Sequence, residues 1–84
     1  MPGPTSENMG HAARRIVLMD RARVALGGAA KLGEVIGVGR RGVNHKLSAD
    51  RGLSDAELNA AADAIERRAR DLDSLADLLR QVTA

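Results

Sequence analysis

From Ser54 to Val82 the chain runs 29 residues without a glycine or proline. At 1.5 Å per residue that stretch predicts one helix of about 44 Å. Ser54-Asp55-Ala56-Glu57 opens it with the capping-box spacing, in which the serine hydroxyl and the Glu57 carboxylate each take a free backbone N–H. Leu58, Ile65, Leu72 and Leu79 recur every seven residues, Ala62, Ala69 and Ala76 repeat beside them, and Leu75 and Val82 extend the stripe. The shorter helices that precede this rod cover its first half only. Its second half needs another partner, and a seven-residue apolar repeat suits pairing between subunits. Ile65, Leu72, Leu75, Leu79 and Val82 are the expected dimerisation residues. Arg68 falls on the seam, so an ideal coiled coil is not required. The alternative is a bend at Asp71-Leu72-Asp73-Ser74 that folds the end back on its own domain.

The chain has 84 residues with no Phe, Tyr, Trp or Cys. One domain is expected, with a thin core of Leu, Ile, Val, Met and Ala, which is a further reason to expect a second subunit. Disulfides and cysteine-based zinc sites are excluded. No apolar run approaches the roughly 20 residues of a membrane span, and MPGPTSENMG lacks the basic start and apolar stretch of a secretion signal. A cytoplasmic, nucleoid-associated protein is the expectation. Charge is unevenly placed: residues 1–53 hold nine Lys/Arg against four Asp/Glu, and residues 54–84 hold four against seven. A basic front suits a polyanion. Arg outnumbers Lys eleven to two; GC-rich codon usage also produces that ratio, so the position of the charges is the stronger signal.

Residues 1–8 carry Pro2, Gly3 and Pro4 with no basic residue, and read as a disordered tail. Residues 9–53 hold three helices. Ile16, Met19, Ala22 and Leu26 mark the first, over 9–26, at three- and four-residue steps, and Gly27-Gly28 ends it. Ala29 to Ile36 is the second, with Leu32, Val35 and Ile36 on its apolar side. Gly33 inside it costs about 1 kcal/mol relative to alanine, a cost that close approach of the next helix would offset. Gly37-Val38-Gly39 makes the turn. Arg40 to Ser48 is the third helix, with Val43 and Leu47 four apart on its inner edge and Arg40, Arg41, Asn44, His45 and Lys46 on its outer edge. A short rod with a buried aliphatic edge and an exposed Arg/Asn/His edge suits the major groove of DNA. Arg51, in the loop 49–53, is a further candidate phosphate contact.

Leu32-Gly33, Ile36-Gly37-Val38, Val43 and Leu47 together resemble the helix-turn-helix of the lambda repressor and Cro class. In that class a leucine and a small residue pack the first motif helix. A glycine makes the turn, an apolar residue follows it, and a Val or Ile anchors the recognition helix. The likeness covers about twenty residues. It departs from the usual pattern at Gly33, commonly Ala, at Gly39, commonly Ser, Thr or Asp, and at Ala29, commonly Gln. It implies a small bacterial, phage or plasmid transcription regulator, a homodimeric repressor of its own operon. RNA polymerase is a possible partner if the protein activates instead.

Gly37-Val38-Gly39-Arg40-Arg41-Gly42 also spells G-x-G-x-x-G, but no second β-branched run completes the strand–helix–strand unit that a dinucleotide requires. Catalysis has no constellation to rest on: His11 and His45 are the two histidines, and His45 beside Lys46 is a poor general base. The expectation is therefore an all-α fold, a compact helix-turn-helix domain of about four helices with a long C-terminal helix. Its predicted activity is sequence-specific binding of double-stranded DNA, without enzyme activity, metal or cofactor. The competing reading is a protein-interaction module acting through the long helix.

Overall fold

The computed structural model describes residues 4–48 and 52–83. They form four helices, α1 (Pro4–Leu26), α2 (Ala29–Ile36), α3 (Arg40–Ser48) and α4 (Asp55–Thr83), and no strands. The fold is all-α with a long C-terminal helix, as expected. Helix α1 begins five residues before the expected start, so residues 4–8, read from sequence as tail, are its first turns. Proline has the φ angle of a helix already fixed and needs no N–H partner at the first position, so Pro4 opens a helix where composition alone suggests disorder.

Each helix contributes one part of a small interior. Met19 of α1, Leu32 of α2 and Val43 of α3 are almost wholly excluded from solvent, and Ala22, Leu53 and Ala61 close around them. Ile16, Leu26, Ile36, Val38, Leu47, Leu58 and Ile65 pack partly buried at the edge. With three large side chains fully buried, each worth about 1.5–3 kcal/mol, close packing between backbones has to do the rest.

The α1–α2 corner is closed by the Gly28 N–H donating to the Arg23 carbonyl at 2.8 Å. Arg15 ties α1 to the start of α4: its guanidinium donates to the Asp55 carboxylate at 2.8 Å and to the Leu53 carbonyl at 2.7 Å. Further along, Ala22 and Ala25 of α1 line a groove with Ile65 of α4. The two helices therefore run side by side in the same direction, and α1 ends near the level of Ile65.

Helix α4 continues without a break to Thr83, so the bend considered at Asp71–Ser74 does not occur. The 18 residues after Ile65 project about 27 Å beyond the core. Leu72, Leu75, Leu78, Leu79 and Val82 are all more than half exposed along this overhang. The radius of gyration, 16.4 Å, exceeds the roughly 12 Å of a compact chain of this length. Among the described residues no helix is long and apolar enough to cross a membrane.

Candidate nucleic-acid interface

The position of α3 is set by glycines. Gly37 takes a left-handed backbone, φ +83°, just past the end of α2, a conformation that strains any residue with a Cβ. The Gly37 and Val38 N–H groups both donate to the Gly33 carbonyl, at 2.8 and 2.9 Å, which closes the helix end. The turn then folds back tightly over α2. A Cβ at Gly33 would run into the Val38 carbonyl oxygen and lie 3.4 Å from the Gly39 carbonyl group. The close approach that offsets the helical glycine is thus made by the turn itself, ahead of α3. Gly42 has the matching role on the other side, since a Cβ there would sit 3.2 Å from Val38 Cβ. Val38 is wedged between the two helices, and the spacing between α2 and α3 has no slack.

With that spacing, Val43 enters the core, 1% exposed, and Leu47 packs beside it. Successive helical residues are 100° apart, which turns Arg41, Asn44, His45 and Ser48 away from Val43. Arg40, Arg41, Asn44 and His45 are all exposed. The Ser48 hydroxyl donates to the His45 carbonyl at 3.0 Å, which finishes the helix. Gly39 opens α3 with its carbonyl accepting from the Val43 N–H at 3.0 Å, and no acidic residue lies in the first turn. Two arginines sit instead at the positive end of the helix dipole. This placement opposes helix stability by a few tenths of a kcal/mol or more, and concentrates positive potential where an anion would dock.

Lys46 departs from the expected outer edge. It lies 60° from Val43, as Arg40 does on the other side; Arg40 is exposed at the first turn, whereas Lys46 finds partners on the next element. Its ammonium donates to the Gly52 carbonyl at 2.7 Å and pairs with the Glu57 carboxylate at 3.1 Å. Its side chain is only 21% exposed. Lys46 therefore fastens α3 to the start of α4 and does not stand with Arg40, Arg41, Asn44 and His45. Arg51 lies outside the described residues.

Glu57, which the spacing identifies as a capping residue, has more partners than a cap requires. Its carboxylate accepts from the Ser54 N–H at 3.0 Å while its own N–H donates to the Ser54 hydroxyl at 3.1 Å. Burial pushes the Glu57 carboxyl up. The Ser54 backbone N–H, Lys46 and the Ser54 hydroxyl together outweigh that and hold it below its ordinary value. The second partner was not apparent from spacing, because Lys46 and Glu57 are joined only through the tertiary fold. Arg15 is a similar case: on its own helix it is one basic residue among four, and its role appears only beside Asp55.

No family model, curated protein or solved structure matches this chain.

Proposed function

We propose that this protein is a sequence-specific binder of double-stranded DNA and a transcription regulator of the lambda repressor and Cro kind. In this reading α3 lies in the major groove and two copies read an inverted repeat. One observation carries the proposal. Helix α3 is held by Val43 and the Val38 wedge so that Arg40, Arg41, Asn44 and His45 share one uncovered polar edge.

The chemistry of that edge divides the labour. Arg40, nearest the helix N-terminus, holds phosphates. Arg41 and Asn44 address base edges, arginine favouring guanine and asparagine adenine, with His45 beside them. Lys46 is assigned to the fold and not to the DNA. Repression follows if the site overlaps a promoter; activation would need a contact with RNA polymerase.

Selection of bound sequences from a random duplex library, at stated salt, tests the reading. The expected product is an inverted repeat with half-sites about 34 Å apart. Failure to retard any duplex at low ionic strength would reject it. A second reading, a protein-interaction module, draws on the exposed Leu72, Leu75, Leu78, Leu79 and Val82; shortening α4 separates the two, as argued below.

A further inference from the structure

Among the described residues, α4 borders two open apolar surfaces. One is the overhang of α4. The other is the groove between α1 and α4, walled by Leu18, Ala22, Ala62 and Ile65 and rimmed by Arg15 and Arg21. We propose that each is the cover for the other in a second copy of the chain. The α4 helices of two protomers pair antiparallel, crossing near Ala69, so that the overhang of each lies along the α1–α4 groove of its partner. This rests on the dimer of the preceding reading and is independent of DNA binding.

Continuity of the surface is the first argument. At 100° per residue, Leu72, Ala76 and Leu79 fall on the same side of α4 as Leu58, Ala61 and Ile65. The wall of the groove and the stripe of the overhang are one apolar face, half of it against the core and half bare. A two-fold axis at Ala69 opposes positions equidistant from it. Ala76 then meets Ala62, while Leu72 and Leu79 come within one residue of the levels of Ile65 and Leu58, so the bare half of each copy lies over the groove of the other.

Charge decides the polarity. Arg68 lies on the seam, and parallel pairing in register would set it against its own copy, a destabilising like-charge contact. Antiparallel pairing about Ala69 removes that self-contact: Arg68 comes level with Arg70, which lies 200° round the helix from it and is turned off the seam. The partners also differ in sign. Residues 71–83 hold three Asp and one Arg, whereas residues 10–26 of α1 hold four Arg and one Asp. An acidic overhang over a groove with a basic rim is attractive, while two acidic overhangs side by side are not. Parallel pairing would also leave both grooves open.

The chain has no cysteine, so introduced thiols report alone. Ala62→Cys and Ala76→Cys proteins are mixed without DNA and oxidised. The expected product is the mixed disulfide, position 62 of one chain to position 76 of the other, with little cross-linking in either variant alone. Disulfides only between identical positions would mean parallel pairing and overturn the proposal. So would a monomeric mass with no cross-link. A second variant, Leu79→Asp, alters a side chain that the folded protomer leaves exposed, and should give a helical monomer by sedimentation. A dimer that survives Leu79→Asp rejects the proposal. Retardation of duplex DNA is scored separately: a mixed disulfide without DNA binding would sink the functional reading alone, and DNA binding with parallel cross-links would sink this one alone.

Discussion

Substituting Gly33 by alanine adds a single methyl group at a position where an ordinary helix would gain about 1 kcal/mol from it. Here the methyl meets the Val38 carbonyl oxygen, a backbone atom that cannot swing aside. The sign should reverse. Gly33→Ala is expected to lower the urea midpoint, with the destabilisation on the order of 1–3 kcal/mol typical of an overpacked site; a raised midpoint would mean that the turn relaxes freely. The same scale separates the cations of α3. Arg40→Ala should weaken binding to all duplexes alike and reduce the slope of log K against log salt by about one phosphate contact. Arg41→Ala should cost about 1–3 kcal/mol on the preferred site and relax sequence preference. Lys46→Ala should lower stability and leave the slope nearly unchanged. Its ammonium is already taken by Gly52 and Glu57. Loss of slope equal to that of Arg40→Ala would return Lys46 to the DNA.

At the scale of elements, the start of α4 is where stability is coupled to pH. The folded protein holds the Glu57 carboxyl below its ordinary value. A group depressed in this way stabilises the fold fully above its unfolded value, about pH 4.3 for glutamate. The contribution fades as pH falls through the lower folded value. Urea midpoints measured from about pH 6 down to about pH 3 should therefore fall less steeply in Glu57→Gln than in the wild type. Glutamine keeps the cap on the Ser54 N–H but has no charge for Lys46 and no proton to take up. Equal slopes in the two proteins would remove Glu57 from the acid response. The cap itself was legible in Ser54 and Glu57 because it is local, as were the four helices, since Gly27-Gly28 and Gly37-Val38-Gly39 interrupt apolar periods that are otherwise clear. Ties such as Arg15 to Asp55 and Lys46 to Glu57 span 40 and 11 residues, and periodicity holds no information about them. Counting 100° steps from Val43 puts Lys46 60° from the buried edge, but Arg40 has the same offset on the other side, so the helical period alone does not tell the inward cation from the outward one.

At the scale of the whole molecule, core and overhang are separable. The interior ends at Ile65, so a chain stopped after Ala69 retains every side chain that packs within the protomer and loses Leu72, Leu75, Leu78, Leu79 and Val82 together. The truncated protein should keep a cooperative thermal transition. In the full chain the transition temperature should rise with protein concentration, because association draws on the folded state alone, whereas the truncated form should show no such dependence. A DNA-binding dimer adds a consequence that an interaction module lacks. Two half-sites joined in one particle neutralise twice the phosphates of one, so truncation should roughly halve the salt slope. It should also replace the inverted repeat in selected sequences by a single half-site, while duplex is still retarded at low salt. If the truncated chain folds and bears the full polar edge of α3 yet retards no duplex under conditions where the intact chain does, the edge is not sufficient to hold DNA. If neither form retards duplex, the uncovered stripe of α4 is left as the active surface of the protein.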